Sequence, residues 1–155
     1  RPATVCGLSE RLRLDLTVNK LTYDAFYKNK IFVDGGDQIR PNIHIKDLIA
    51  AIDCLIFSKK KLSHNIFNVG FENLTISEIA NKIQNRTGAK IQANKNRDIR
   101  SYRQDSSRLL KFGFKPKYNV NFAVGELIYF FKTKSKINFT KKNFNLLRMK
   151  ELDIR

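Results

Sequence analysis

The chain has 155 residues, of which 42% are hydrophobic, and a formal net charge of +16. This length is enough for one domain with a buried core, and no run approaches the ~20 apolar residues of a membrane-spanning helix. The excess of basic residues favours a polyanionic ligand (nucleic acid, an anionic membrane or a phosphorylated molecule) or else a diffusely charged surface.

Strand and helix patterns alternate along the chain, which indicates an α/β fold. The clearest helix covers 75–88, because Thr75 and Glu78 form a capping box and Gly88 supplies a stop. After residue 133 the chain is basic and loosely periodic, either a helix or a frayed extension. The other predicted elements, in chain order, are a strand at 3–6, a loop at 8–15, a helix at 16–30, strands at 31–34 and 38–45, a helix at 46–58, strands at 65–70 and 89–94, a helix at 105–114 capped by Asp105, and a helix at 120–132.

The segment 31–45 predicts a β-hairpin. An apolar strand runs into Gly35-Gly36, and glycine reaches the positive φ values that a tight hairpin turn needs. The return arm alternates apolar residues with polar ones, so one face should be buried and the other should carry polar groups. Pro41 cannot donate a backbone hydrogen bond, which predicts either an edge strand or an irregular one.

Two cysteines, Cys6 and Cys54, lie in apolar runs without metal-ligand spacing. We therefore expect free thiols in a reducing, cytoplasmic compartment and no metal site. Neither His44 nor His64 has a nucleophile at a suggestive spacing, and no pair of carboxylates indicates acid–base catalysis. No residue is predicted to be catalytic.

Two polar clusters remain as candidate sites. Arg40, Asn42 and His44 alternate along one predicted strand, and 97–105 carries Arg97, Arg100, Tyr102 and Arg103 in a predicted loop. Guanidinium groups in fixed directions suit bidentate binding of phosphate oxygens. Solvated surface arginines remain an equal alternative on spacing alone.

At these clusters the sequence resembles a known family. The segments "RPATVCG" (1–7), "RLRLDLTVN" (11–19), "GGDQIRPNIHIKDL" (35–48), "FNVGFENLTISEIA" (67–80) and "DIRSYRQDSSRLLKFGFKP" (98–116) occur in this order. Together they resemble the carboxyl-terminal half of the extended short-chain dehydrogenases/reductases, in the branch of NAD-dependent nucleotide-sugar epimerases/dehydratases. The resemblance covers residues 1–132, and residues 133–155 would be a basic extension.

The resemblance implies the end of a Rossmann-like parallel sheet followed by a smaller α/β substrate-binding lobe. Arg40 matches the family arginine that binds the substrate diphosphate, and Asp47 and Asn68 match structural caps and strand-end ties. The remaining implied substrate contacts are Thr4, Asp15, Asn19, Arg100 and Tyr102, and Pro2 and Ala3 would lie near the cofactor.

The glycine-rich NAD fingerprint and the Tyr-x-x-x-Lys pair are absent from this sequence. NAD would therefore be bound mainly by an amino-terminal Rossmann half, and this chain would position a nucleoside-diphosphate-sugar for hydride transfer at C4 or a nearby carbon. Whole enzymes of this kind can be homodimers.

The alternative is a catalytically inactive remnant that binds a nucleotide-sugar or a partner protein. Neither nucleic acid nor a membrane is an expected partner, because the phenylalanines lie on predicted core stripes and not among the arginines.

Overall fold

The computed structural model describes residues 1–61, 66–94, 99–134 and 139–154. His64 and Arg97, discussed above, lie outside these ranges. The strands are β1 (Thr4–Cys6), β2 (Lys30–Asp34), β3 (Ile39–His44), β4 (Glu72–Thr75) and β5 (Lys90–Asn94). The helices are α1 (Thr17–Lys28), α2 (Ile45–Ile56), α3 (Ile76–Thr87), α4 (Ser107–Phe112), α5 (Val120–Thr133) and α6 (Asn145–Glu151), with a 3-10 turn at Lys141–Asn143.

The strands form two small sheets. In one, β3 pairs parallel with β1 and antiparallel with β4; in the other, β2 pairs parallel with β5. The segment just after 66 extends the first sheet by a parallel bridge between Pro2 and Val69, so the strand predicted at 65–70 is reduced to a single bridge. The α/β class with a partly parallel sheet confirms the predicted fold class.

The hairpin prediction is wrong, because β2 and β3 belong to different sheets. Gly35 and Gly36 do adopt positive φ values of 79° and 137°. However, the carbonyl of Gly36 accepts a hydrogen bond from the Ser77 N–H at 3.0 Å, so the turn lies against the start of α3. Strand β2 finds its partner in β5, about 60 residues later.

Of the two alternatives for the strand that contains Pro41, the edge strand is wrong, because β3 is the middle strand of its sheet. Strand β1 begins opposite Asn42, so Pro41 lies just beyond the end of that neighbour. The proline ring therefore interrupts no pairing with β1. The polar side of β3 is covered as well: Arg40 is 8% exposed, and Asn42 and His44 are each 1% exposed.

The longer predicted helices are confirmed to within two residues at each end. Helix α3 has the predicted capping box between Thr75 and Glu78 and ends at Gly88 in the left-handed conformation. Helices α1, α3 and α5 pack together with β2 around one apolar cluster, while α2 and α4 cover the other sheet. Within the described ranges, no helix is long and apolar enough to cross a bilayer.

The carboxyl-terminal segment forms a 3-10 turn and a helix that pack against the rest of the chain. Phe139 and Phe144 join an apolar cluster with Leu12, Leu14 and Phe131. This packing brings residues near 140 against the loop at 8–15, which sequence reasoning left without a partner.

Candidate functional site

A cavity of about 520 Å³ lies beside β1, the loop that follows it and the start of α1. The carboxyl end of a strand that pairs in parallel is where ligands commonly bind in α/β folds. Five of the predicted site residues line this cavity, namely Pro2, Ala3, Thr4, Asn19 and Tyr102.

Asn19 shapes the wall of this cavity. The Asn19 side chain is 3% exposed; its Oδ1 accepts a hydrogen bond from the Gly7 N–H at 3.1 Å, and its Nδ2 donates to the Arg13 carbonyl at 3.0 Å. Both Gly7 and Arg13 also line the cavity. Asn19 thus connects α1 to two points of the cavity wall and itself lines the cavity between them.

Two arginines that the sequence analysis did not select, Arg11 and Arg13, also line the cavity, and none of its lining residues is acidic. Sequence reasoning treated 8–15 as a plain loop. The signal was present, because the arginines alternate with Leu12 and Leu14, which are 3% and 0% exposed. A loop with this alternation buries one side and presents its charges on the other.

Arg40 lines a second, smaller cavity of about 160 Å³, together with Asp15. Its Nη1 donates to the carbonyl of Ile39 at 3.1 Å and to the carbonyl of Arg100. Its guanidinium carbon lies 5.3 Å from the ring centroid of Tyr102. Arg40 therefore fixes the segment around 100–102 against β3, whether or not it also meets a ligand.

Asp15 is held by three hydrogen bonds. The Arg13 guanidinium donates to both carboxylate oxygens, at 3.0 and 2.9 Å, and the Asn145 N–H donates at 3.0 Å. Partial burial alone would raise the pKa of Asp15, but these hydrogen bonds outweigh it and leave the pKa below its ordinary value. Asp15 is therefore ionised at neutral pH.

The two cavities adjoin, because residues that line one contact residues that line the other. Arg40 of the small cavity packs on Tyr102 of the large one, and Asp15 of the small cavity pairs with Arg13 of the large one. Arg100 is exposed and is not among the residues that line either cavity. The structure thus brings seven of the eight predicted residues to two neighbouring cavities and places Arg100 beside them through its carbonyl.

A buried histidine supports the floor of the large cavity. His44 Nδ1 accepts from the Lys46 N–H at 3.2 Å, so the proton of the neutral ring lies on Nε2, which is 3.2 Å from Glu126 Oε2. Burial lowers the pKa of His44, although Glu126 opposes this effect. Gly7 crosses directly over the ring: a Cβ at Gly7 would lie 2.5 Å from His44 Nε2.

The cysteine that lines the large cavity, Cys6, is not activated, and the described residues offer no metal cluster. Burial, with smaller contributions from nearby carboxylates, raises the pKa of the Cys6 thiol to about 12. That cysteine therefore lines the cavity as an unreactive apolar group. Over the residues that the structure describes, no three His, Cys, Asp or Glu side chains are grouped so that they could hold a metal ion.

Asp47 and Asn68 both hold backbone groups of other segments. The Asp47 carboxylate is 1% exposed and accepts hydrogen bonds from the N–H groups of Lys117 and Tyr118 at 2.9–3.1 Å. Asn68 Nδ2 donates to the Asp105 carbonyl at 2.9 Å. Both contacts join segments distant in sequence, which a capping interpretation alone does not predict.

No family model matches the chain. Solved structures share its fold. A UDP-N-acetylglucosamine 4-epimerase from Bacillus cereus is 24% identical, with a TM-score of 0.72 over 89% of this chain and 46% of the epimerase. An NAD-dependent NDP-hexosamine 5,6-dehydratase of tunicamycin biosynthesis is 19% identical, with a TM-score of 0.72 over 87% of this chain and 45% of the dehydratase.

The same fold also occurs in an enzyme that is not named for a nucleotide-sugar. An L-threonine dehydrogenase from Phytophthora infestans is 19% identical, with a TM-score of 0.73 over 85% of this chain and 47% of the dehydrogenase. The chain spans less than half the length of these three structures. It therefore has the fold of part of an extended short-chain dehydrogenase/reductase, of the kind found in NAD-dependent nucleotide-sugar epimerases and dehydratases, consistent with a carboxyl-terminal half.

Proposed function

We propose that this chain is the substrate-binding part of an NAD-dependent nucleotide-sugar epimerase or dehydratase. The observation that carries the proposal is the large cavity, whose described lining residues include two arginines and no carboxylate. It adjoins a second cavity that contains Arg40 and Lys20 beside Asp15 and Asp34. The wall of the large cavity suits a ligand with several negative charges, and a nucleoside-diphosphate-sugar has two phosphates.

In this proposal the diphosphate lies where the two cavities meet, between Arg13 and Arg40. Tyr102, which is 53% exposed, offers a ring and a hydroxyl to the nucleotide, and Thr4 offers a hydroxyl to the sugar. Asp15 acts as an acceptor that also orients Arg13, and Asn19 holds the wall. Arg100 completes the phosphate contacts from the rim.

The cofactor would approach Pro2 and Ala3, which line the large cavity beside Thr4. When bound, NAD supplies the acceptor and donor of a hydride at C4 of the sugar or a nearby carbon. The contribution of this chain is to fix the sugar and to neutralise phosphate charge, so that the reacting carbon faces the cofactor.

A longer polypeptide with an NAD-binding half is part of the proposal. The chain spans under half of the proteins whose fold it shares, and one face of α2 is apolar and exposed. Ile49, Ile52 and Ile56 on that face are 53%, 47% and 66% exposed, and the adjacent Phe57 is 78% exposed. We assign this face to contact with the NAD-binding half. Residues 1–132 then form the substrate lobe and 133–155 an extension of it.

A cytoplasmic location and a homodimer of the full-length protein belong to the same proposal. Both cysteines are free thiols, which suits a reducing compartment. The inactive-remnant alternative shares the cavity and differs only in the absence of a functional NAD-binding half.

The test is calorimetric titration of the 155-residue chain with UDP-N-acetylglucosamine and with UDP. We expect both to bind, and Arg13→Ala to weaken both by at least tenfold, since a charge-assisted hydrogen bond contributes roughly 1.5–3 kcal/mol. Arg108→Ala, which removes an exposed arginine on α4, is the matched control and should bind as the wild type does. Failure of the wild type to bind either ligand would refute the proposal and favour a substrate without a nucleotide.

A further inference from the structure

The loop at 8–15 forms much of the wall of the large cavity but contains no helix or strand of its own. It contributes Arg11 and Arg13 to the large cavity and Asp15 to the small one. A segment without its own ladder depends on outside partners for a fixed geometry. The hydrogen-bond partners of the second half of this loop are residues near the carboxyl-terminal end of the chain.

Asn143 makes a reciprocal pair of hydrogen bonds with this loop. Its backbone carbonyl accepts from the Leu14 N–H at 2.8 Å, and its side-chain Nδ2 donates to the Leu12 carbonyl at 2.8 Å. The two bonds flank Arg13, whose side chain leaves the opposite side of the loop toward the cavity. The backbone on either side of that arginine is thus fixed by one residue, which follows Leu12 by 131 positions in the sequence.

Neighbouring residues of the same segment hold the charged groups of the loop. The Asn145 N–H donates to the Asp15 carboxylate at 3.0 Å, and Asn145 Oδ1 accepts from Arg11 Nη2 at 2.6 Å. Arg11 Nε also donates to the Lys142 carbonyl at 3.1 Å. Every charged side chain from Arg11 to Asp15 is therefore oriented by the carboxyl-terminal segment, directly or through Asp15.

Aromatic packing anchors that segment to the body of the protein. The ring of Phe139 lies edge-on to Tyr23 at 5.1 Å and to Phe131 at 6.2 Å, which joins it to α1 and α5. Phe144 packs in the same cluster as Leu12 and Leu14. These contacts bury apolar surface and make the segment a rigid support.

The first half of the loop has different partners. The Gly7 N–H donates to Asn19, and the Leu8 N–H donates to Glu126 at 2.9 Å. Loss of the carboxyl-terminal contacts should therefore loosen Arg11 to Asp15, which keep the bond from Asn19 to the Arg13 carbonyl, while leaving the start of the loop in place. This difference makes the support separable from the general stability of the fold.

We propose that residues 139–151 form a clasp that positions the arginine-bearing wall of the cavity. Asn143 and Asn145 are its positioning residues, and the ligand that benefits is the nucleoside diphosphate of the proposed function, on which this part of the inference rests. The clasp itself is a property of the chain without ligand.

Two variants release the clasp and one serves as a control. Asn143→Asp keeps the side-chain oxygen that accepts from the Thr140 N–H but loses the donor to the Leu12 carbonyl. Asn145→Ala loses the contact to Arg11. Thr133→Ala, the control, removes an exposed hydroxyl at the end of α5 that donates to the Tyr129 and Phe130 carbonyls and lies outside the clasp. All three are compared at a temperature where far-UV circular dichroism shows full folding.

The first readout is hydrogen exchange of the Leu14 N–H in the free chain, with the Gly88 N–H of the α3 end as internal reference. We expect exchange at Leu14 to accelerate about fivefold to tenfold in Asn143→Asp, which corresponds to the loss of about one hydrogen bond. Exchange at Leu14 should also accelerate in Asn145→Ala. Leu14 exchange in Thr133→Ala and exchange of the reference amide should stay unchanged. Unchanged Leu14 exchange in both clasp variants would overturn the clasp.

The second readout is the dissociation constant for UDP-N-acetylglucosamine. We expect it to rise about fivefold in both clasp variants and to stay constant in Thr133→Ala. Faster exchange with an unchanged dissociation constant would overturn the positioning role. If the wild type binds neither UDP-N-acetylglucosamine nor UDP, the proposed function fails, and the exchange result alone decides whether the clasp exists.

Discussion

Replacing Arg40 by alanine separates a structural role from a ligand-binding role at the centre of the site. Arg40 is 8% exposed, donates to two backbone carbonyls and packs on Tyr102. Hydrogen bonds from a charged group contribute roughly 1.5–3 kcal/mol, and a partly buried cation–π contact about 0.5–2 kcal/mol. Because water replaces part of these contacts in the variant, we expect Arg40→Ala to lower the free energy of unfolding by about 2–4 kcal/mol.

For a chain of this length, that loss lowers the melting temperature by roughly 5–15 °C. The assay is thermal and urea unfolding followed by circular dichroism, with Arg103→Ala as the control, since Arg103 is exposed in the same segment. An equal and small shift in both variants would refute the buried role of Arg40. From the sequence alone, Arg40→Ala is expected to affect diphosphate binding far more than stability; its burial instead predicts that both fall.

Three further predictions concern the support of the cavity floor. Gly7→Ala should lower the free energy of unfolding by about 2–4 kcal/mol, because φ at Gly7 is +101° and the new Cβ would meet the His44 ring. Gly88→Ala, at φ +72° with open space around the new Cβ, should lower it by only about 1–2 kcal/mol in the same unfolding assay. The pKa of His44 is lowered in the folded state, so below pH ~6.5 the unfolded chain binds a proton that the folded chain does not, and the free energy of unfolding should fall as the pH drops. His44→Gln should reduce the slope of the free energy of unfolding against pH by up to about 1.4 kcal/mol per pH unit. An unchanged slope in this variant would contradict the prediction. Asp47→Asn should lower the free energy of unfolding by about 1–3 kcal/mol, because an amide oxygen replaces a carboxylate that accepts from the backbone N–H groups of 117–118. Urea denaturation measures this change, and a loss below about 0.5 kcal/mol would count against the prediction.

Local signals decided which parts of the fold could be predicted from the sequence. The capping box of Thr75 and Glu78 and the glycine stop at Gly88 lie within the helix they bound, so the bounds of α3 follow from a short window. The hairpin failed because a Gly-Gly turn fixes only a change of direction. The choice of β5 as the partner of β2 depends on contacts about 60 residues away, which no short window contains.

The site shows the same division. The resemblance selected residues that the structure gathers around two adjoining cavities, among them Thr4, Asn19 and Tyr102. Sequence reasoning missed Arg11 and Arg13, because it treated 8–15 as a plain loop and gave no weight to their alternation with the buried Leu12 and Leu14. The hydrogen bonds between this loop and Asn143 span about 130 residues, a separation that no local pattern covers.

The most direct test of the account is a two-dimensional NMR titration of the 155-residue chain with UDP-N-acetylglucosamine. We predict that the largest amide shifts fall on Thr4, on Arg11 to Asp15 and on Tyr102, which surround the adjoining cavities. The Gly88 amide, at the end of α3 and outside the residues lining the cavities, should remain in place. Saturable shifts confined to surfaces away from these cavities, or no shifts at millimolar ligand, would contradict the claim that this chain holds a nucleoside-diphosphate-sugar.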